Sequence, residues 1–253
     1  MQPYLQKALR QFDNVIPTKR HDSPYPHIEP TYGAKQQFAK YDDFPLVGPE
    51  EQKHLQKVNG KILWYGRAVD STILTALTAL ASQQAKPNME TMKRIKQLLD
   101  YCATQDPAIL TYHKSNMILA IHSNASYLSK DKAQSRAGGH HYLSEDVTFS
   151  PNNGTIHNVA KIIKAVMSLA AEAKLGSLYI NAKKGIEEQI ILEEMGHKQP
   201  RTPIQTDNST AAGIINLRVQ PKRTKAMDMR FHWLRDRITN QQQFRFFLAS
   251  GEY

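Results

Sequence analysis

Four positions in the second half of the sequence carry side chains that could act together on a phosphodiester bond: Asn124, Glu172, Asp207 and Asp228. Three of them are acids, and carboxylates brought to one point by different elements are the ligands that Mg²⁺ requires. Two such ions can hold the attacking and the leaving oxygen during phosphodiester cleavage. The residue types therefore indicate a candidate metal-dependent site.

Each acid also has a simpler explanation, because most of the 23 acidic residues in a chain like this one are helix caps or solvated charges. The run Asp207-Asn208-Ser209 is a good start for a helix. Glu172 could form an exposed ion pair with Lys174 or Lys183. For these two acids both interpretations stay open on spacing alone.

The elements that must position these residues are strands and helices in alternation. Short apolar or alternating runs predict strands at residues 117–122, 138–143, 156–160, 203–206 and 244–248. Helical spacing of apolar residues predicts helices at 160–181, 208–217 and 225–238. On this pattern Asn124 follows a strand, Glu172 lies midway along a helix, Asp207 ends a strand and Asp228 lies near a helix start.

The first part of the chain has a different pattern and is mainly helical. Helices are predicted at residues 3–12, at 50–84 with a break near Asp70, and at 88–101 with Asn88 as the cap. Six prolines between residues 15 and 49 predict an irregular connector. We therefore expect two regions: residues 1–114, mainly helical, and residues 115–253, an α/β domain.

Net charge and hydrophobic composition indicate which kinds of partner the protein can bind. The net charge of +10 favours a polyanion, because Lys and Arg near phosphates release condensed counterions. No apolar run approaches the roughly 20 residues that span a bilayer, so no membrane partner is expected. The start of the chain lacks the pattern of a secretory signal, which predicts an intracellular protein, cytoplasmic or nuclear. Cys102 is the one cysteine, so no internal disulfide can form.

Four segments, in order, resemble the ribonuclease H part of copia-type retrotransposon polyproteins. They are HSNASYLS at 122–129, SLAAEA at 168–173, TDNSTA at 206–211 and RTKAMDMRFHW at 223–233. The family counterparts are Ser-Asp-Ala, Ser-Ser-x-Glu-Ala, Asp-Asn-x-x-Ala and a Thr-Lys-His-Ile-Asp/Glu segment. Upstream, PYLQKAL at 3–9 and WYGRAVD at 64–70 resemble the thumb and connection that follow the polymerase palm. No Tyr-x-Asp-Asp motif of a polymerase is present.

The resemblance implies a ribonuclease H-like mixed sheet flanked by helices, preceded by a mainly helical region similar to a reverse transcriptase thumb and connection. It also implies metal-dependent hydrolysis of the RNA strand of RNA–DNA hybrids. Glu172, Asp207 and Asp228 would bind two Mg²⁺ or Mn²⁺ ions, and Asn124 stands where the family has its first catalytic aspartate. Nucleic acid and other parts of the retroelement polyprotein are the partners it implies.

The amide at Asn124 predicts a weakened enzyme. At an effective dielectric near 20, one charge pair about 4 Å apart is worth roughly 4 kcal/mol. That energy corresponds to about a thousandfold loss of ion affinity. Restoring the acid with Asn124→Asp is expected to raise activity if the rest of the site is sound. A catalytically silent module that binds nucleic acid or associates with retroelement proteins, and a decayed copy without function, remain alternatives.

Overall fold

The structure, a computed structural model, describes residues 2–26, 44–130, 134–147, 149–165, 167, 169–216 and 228–249. It divides into two compact units, one with the described residues up to Leu110 and the other with those from Thr111 onward. The boundary predicted from the sequence lies a few residues further along the chain. Each unit has its own core and is described separately below.

The first unit is helical. Its helices are α1 (Gln2–Gln11), α2 (Pro49–Ala68), α3 (Leu74–Gln83) and α4 (Met89–Thr104). The predicted break is confirmed, because the Asp70 carboxylate accepts the Thr72 backbone N–H and caps a short 3₁₀ turn between α2 and α3. The predicted cap is confirmed as well, since Asn88 and Thr91 satisfy each other's backbone N–H groups at the start of α4.

The second unit is an α/β structure. Its elements are β1 (Ile118–Lys130), β2 (Gln134–Ser144), β3 (Thr155–Ile163), α5 (Ala170–Glu194), β4 (Thr202–Thr206), α6 (Ser209–Ile215), α7 (Asp228–Thr239) and β5 (Phe244–Leu248). The five strands form one mixed sheet in the order β3-β2-β1-β4-β5. The predicted α/β class with a mixed sheet and flanking helices is confirmed.

The sheet combines two kinds of pairing around the central strand β1. Strands β1, β2 and β3 pair antiparallel as a meander, whereas β1 with β4 and β4 with β5 pair parallel. Helix α5 makes the crossover that a parallel neighbour needs. As a result β1 and β4 run in the same direction, side by side. Residues 121–123 of β1 pair with residues 204–206 of β4, so residues 124 and 207, which come next on the two strands, are neighbours.

The core of the second unit lies between the sheet and its helices. Fully buried apolar side chains from both layers include Leu119, Ile121, Leu178, Ile204 and Phe244. Helix α5 approaches the sheet closely at Gly185, where an added Cβ would lie 2.8 Å from Ile121 Cδ1. A larger residue at this position would push the helix away from β1.

The region between β3 and α5 differs from the sequence prediction. A helix was expected from residue 160, but β3 continues through Ile163, because residues 160–163 pair with β2 from Gly138 to Ser135. Helix α5 begins only at Ala170. Glu172 therefore lies in the first turn of α5, and the prediction that it lies midway along a helix is wrong. Most of the predicted connector, residues 27–43, and the start of the predicted helix at 225–227 are outside the described residues.

Within the described ranges, no helix is both long enough and apolar enough to cross a bilayer.

Candidate functional site where strand β4 ends beside strand β1

Two of the four predicted site residues lie side by side where β4 ends beside β1. The prediction that Asn124 follows a strand is wrong, because β1 continues to Lys130 and Asn124 lies within it. Ser123 of β1 is the partner of Thr206 in the parallel register of β4. The next residue on each strand is Asn124 and Asp207, so the pairing places these two residues next to each other. Asn124 is exposed, and the Asp207 side chain is half-exposed. The parallel pairing of β1 with β4 thus brings together the first and third predicted positions.

A lysine side chain joins these two residues. Lys174, in the second turn of α5, donates from Nζ to Asn124 Oδ1 and lies 2.7 Å from Asp207 Oδ2. The lysine side chain is 13% exposed, against 50% for Asp207. The site therefore holds one ammonium group, one carboxylate and one amide, all in direct contact through Lys174.

The same helix also holds the Asn124 backbone. Ser177, one turn after Lys174, has its hydroxyl oxygen 2.5 Å from the Asn124 carbonyl oxygen and 3.2 Å from that of Gly138 on β2. Ser177 is fully buried. Because a buried hydroxyl is costly to leave without a partner, this contact fixes α5 to the middle of the β1–β2 pair, where Asn124 and Gly138 are opposite each other. Asn124 is thus held by α5 at both its backbone and its side chain.

A buried polar network lies behind the site. Asn181 is fully buried, and its Nδ2 lies 2.8 Å from Ser123 Oγ and 2.9 Å from Gly138 O. Because a carbonyl oxygen only accepts, the amide nitrogen must face Gly138, and Oδ1 is left to accept from His141 Nε2 at 3.0 Å. His141 Nδ1 in turn lies 2.6 Å from Glu188 Oε2. The network fastens α5 to β1 and β2 with one fixed amide orientation.

Asp207 is not the cap of the helix that follows it. The N-cap of α6 is Asn208, whose Oδ1 accepts the Ala211 backbone N–H at 2.7 Å. This arrangement leaves the Asp207 carboxylate available to contact Lys174. The helix-cap interpretation of this run therefore holds for Asn208 and not for Asp207.

Glu172 occupies a different side of α5 from Lys174. Residues two apart on a helix face different directions, whereas residues four apart share a face. Glu172 shares its face with Gly176, where an added Cβ would meet Met167 and Ile163, next to β3. The side chain is buried, with 5% exposed, so Glu172 is not the exposed residue that the ion-pair interpretation assumed. Lys174, on the other face, reaches Asp207 instead.

The fourth predicted residue, Asp228, is the first residue of α7. This agrees with its predicted place near a helix start, but its side chain is outside the described residues. His232, one turn later and exposed, lies beside Phe231 with 5.3 Å between ring centroids.

The described residues of the site do not fit a divalent cation. Mg²⁺ takes oxygen ligands in octahedral geometry. Here an ammonium group lies between the side chains of Asn124 and Asp207. The Asn124 Oδ1 already accepts from Lys174 and from the Ala125 backbone N–H at 2.6 Å, so both of its lone pairs are used. In the described part of the chain, no three His, Cys, Asp or Glu side chains are grouped to hold a metal ion.

A second group of titratable residues lies on β1 and β2 next to the site. His122 Nε2 lies 2.7 Å from the Tyr142 hydroxyl oxygen, and the His122 and His140 ring centroids are 6.2 Å apart. Burial of His122, reinforced by the neighbouring His140, lowers the His122 pKa to about 4. His122 is therefore neutral at physiological pH, and its ring accepts or donates a hydrogen bond without charge.

Comparisons with known proteins give one sequence relative and several structures. No protein-family model matches the chain. The retrovirus-related Pol polyprotein from transposon TNT 1-94 of Nicotiana tabacum is 23% identical over 198 residues, which are 76% of this chain. The match covers 14% of that polyprotein, so the chain spans a small part of its relative's length.

Among solved structures, the foamy viral protease-reverse transcriptase in complex with an RNA/DNA hybrid matches 98% of this chain and 27% of its own. The TM-score is 0.50 at 11% identity. LC11-RNase H1, isolated from compost by a metagenomic approach, matches 53% of this chain and 86% of its own, with a TM-score of 0.39 and 9% identity.

The sheet order, the mixed pairing and the helices on the sheet define a ribonuclease H-like fold in the second unit, preceded by a helical region. In sequence, the chain is similar to a copia-type retrotransposon polyprotein, and the resemblance predicted from the four motifs is confirmed.

The sequence analysis missed the residues that complete the site. Lys174, Ser177 and Asn181 follow one another at helical spacing on one face of α5, and that face lies against the sheet. A row of polar residues on the buried face of a helix is the signal that could have revealed them. Lys174 was weighed only as an exposed partner of Glu172.

Proposed function

We propose that the second unit is a ribonuclease H-like module of a retrotransposon polyprotein that binds RNA–DNA hybrids and whose hydrolysis of the RNA strand is severely impaired. The observation that carries this proposal is the neutral amide of Asn124, which lies within β1 and beside Asp207, where the pairing of β1 with β4 ends. Hydrolysis in this fold depends, by resemblance, on a carboxylate at that position.

The physical reason for impairment is the absence of a full negative charge at Asn124. Asn124 Oδ1 has its two acceptor positions used by Lys174 and Ala125. An amide in this state offers neither charge nor a free lone pair. The hypothesis of a weakened enzyme, made from the residue type alone, is therefore supported by the contacts of Asn124.

Binding without cleavage is supported by charge and by the structural neighbour. The chain carries a net charge of +10, which favours contacts with phosphates. The foamy viral enzyme with a similar fold was solved with an RNA/DNA hybrid. We extend that ligand class, an RNA–DNA hybrid, to this chain as part of the proposal. The first unit is, by resemblance, similar to a thumb and connection.

The test measures binding and cleavage on the same substrate. An end-labelled RNA–DNA hybrid is titrated with the full chain, and affinity is read by fluorescence anisotropy. Cleavage is read on a denaturing gel after incubation with Mg²⁺ or Mn²⁺. We expect saturable binding and no cleavage above the no-protein control, with an active ribonuclease H as the positive control for the substrate.

Two results would overturn the proposal. The first is absence of hybrid binding at low salt. The second is cleavage by the purified chain that disappears in the Asp207→Asn variant, because this dependence would assign the reaction to the site described here and exclude a contaminating nuclease.

A further inference from the structure

The proposal below rests on the proposed function and concerns the cation at the site. Lys174 Nζ contacts the side chains of both Asn124 and Asp207, and the lysine side chain is 13% exposed. Its contact with Asp207 at 2.7 Å is a charge-assisted hydrogen bond. An ammonium group is therefore already present between these two side chains, where a divalent ion would have to bind.

The position of this ammonium is fixed by the helix that carries it. Ser177, on the same face of α5, binds the Asn124 carbonyl, and Asn181 binds Ser123 and Gly138. Residues at positions 174, 177 and 181 share one helix face. The buried contacts of Ser177 and Asn181 hold α5 in the position that directs Lys174 toward Asn124.

Charge balance explains why the lysine and a metal ion exclude each other. With Lys174 in place, the Asp207 carboxylate is neutralised and the Asn124 oxygen is saturated. A divalent ion would have to displace the ammonium, and it would gain no oxygen ligand from lysine, which has only donors. If both cations stayed, they would repel each other at close range.

We propose that Lys174 serves as a built-in cation that replaces the divalent ion between Asn124 of β1 and Asp207 after β4, so that the site needs no metal. The loss of metal chemistry then has two causes, Asn124 and Lys174. It follows that Asn124→Asp alone does not create a metal site, because the added carboxylate pairs with Lys174. This changes the expectation, drawn from the sequence, that one substitution restores the site.

The experiment compares Mn²⁺ binding, without nucleic acid, in a set of full-chain variants. The set comprises the unaltered chain, Asn124→Asp, Lys174→Met, the double variant of these two substitutions, and Lys183→Met in the Asn124→Asp background as control, since Lys183 is an exposed lysine on the same helix. Binding is read by the loss of the free Mn²⁺ signal in electron paramagnetic resonance and by calorimetry. Methionine keeps the unbranched shape of lysine and removes its charge.

We expect the double variant to bind Mn²⁺ at least about tenfold more tightly than Asn124→Asp, because the competing charge is gone. Lys183→Met, added to Asn124→Asp, should leave the affinity unchanged. Equal Mn²⁺ affinity of Asn124→Asp and of the double variant would overturn the assignment.

A second measurement keeps the test decisive if Lys174→Met does not fold. The thermal unfolding midpoints of the unaltered chain and of Asn124→Asp are compared with and without excess Mg²⁺. A ligand that binds only the folded state raises the midpoint. We expect no shift for either protein, and a shift in Asn124→Asp refutes the role of Lys174.

The two proposals fail in different ways. Absence of hybrid binding refutes the proposed function and leaves the assignment of Lys174 intact, because the metal experiment contains no nucleic acid. Mn²⁺ binding by Asn124→Asp alone overturns the assignment of Lys174, while hybrid binding by the unaltered chain still supports the proposed function.

Discussion

The residue with the strongest electrostatic perturbation near the site is His122. Its ring is partly buried beside Tyr142 and faces His140 across the β1–β2 pair. Burial removes water from the charged form, and a second histidine nearby adds repulsion when both are protonated. The neutral imidazole is therefore the form that the fold favours, immediately beside Asn124.

This environment predicts a pH dependence of stability. The His122 pKa is about 4 in the folded chain and about 6.5 in an unfolded one. Between these values the unfolded chain binds a proton that the folded chain does not bind. Stability is therefore complete above pH about 6.5 and falls as the pH drops toward about 4. We expect His122→Gln to flatten this dependence.

The measurement is an NMR titration of the His122 ring, together with urea unfolding at several pH values. His113→Gln serves as the control, because His113 is exposed. If His122 titrates near pH 6.5 in the folded chain, the burial argument is wrong.

At the scale of elements, the decisive feature is the close contact of α5 with β2. An added Cβ at Gly139 would lie 1.9 Å from Asn181 Oδ1. Asn181 cannot move aside, because its amide is held by Ser123, Gly138 and His141. Only glycine at residue 139 lets α5 lie this close to the sheet.

We therefore expect Gly139→Ala to lower the free energy of unfolding by about 1–3 kcal/mol through overpacking. Gly138→Ala is the matched control, since an added Cβ there meets only Asn124 O at an ordinary 3.7 Å. Its stability should be unchanged or higher by at most about 1 kcal/mol. Both variants are measured by urea unfolding monitored with circular dichroism. Similar losses in both would contradict the close-contact argument.

The sequence predicted most elements because their signals are local. The Asn88 cap, the break at Asp70 and the β4 strand before Asp207 all depend on residues a few positions apart. The start of α5 could not be predicted in the same way. Residues 160–163 have helical spacing, but pairing with β2 places them in β3. That pairing is a contact between distant parts of the chain.

The candidate site was predicted only in part, because some of its residues come together through contacts between distant parts of the chain. The motifs selected Asn124 and Asp207, and parallel strand pairing brings them together. Lys174 reaches them only because α5 crosses the sheet at one particular angle and height, held by Ser177 and Asn181. Neither the angle nor the height is contained in the spacing of residues along α5. The position of Lys174 beside Asn124 and Asp207 therefore depends on the tertiary structure and could not be predicted from the sequence.

For the whole molecule, the relevant property is the excess of positive charge. The chain has 33 Lys and Arg residues against 23 Asp and Glu. Such an excess attracts a nucleic acid duplex largely independently of base sequence, because the contacts are made with phosphates. Specificity for a hybrid would then come from the shape of the duplex and from the 2′-hydroxyl groups of the RNA strand.

The proposed hybrid binding should therefore weaken steeply with salt. For six or more phosphate contacts, the association constant falls by roughly 10³ or more between about 50 and 200 mM salt. The measurement is fluorescence anisotropy at a series of KCl concentrations, with DNA duplex of equal length as the comparison. Affinity that does not change with salt would exclude phosphate contacts as the source of binding.

The contact of Lys174 with both Asn124 and Asp207 also affects which substitutions can accumulate in the chain. On the assignment made above, Asn124→Asp arising first gives the ammonium a second carboxylate and strengthens the ion pair. A change of Lys174 arising first leaves Asp207 facing an amide and gains no ligand. Neither substitution alone creates a metal site, and each becomes advantageous only when the other is already present. Selection therefore cannot favour either one as a first step. On the two proposals made for this site, the absence of the reaction is kept in place by epistasis between Asn124 on β1 and Lys174 on α5.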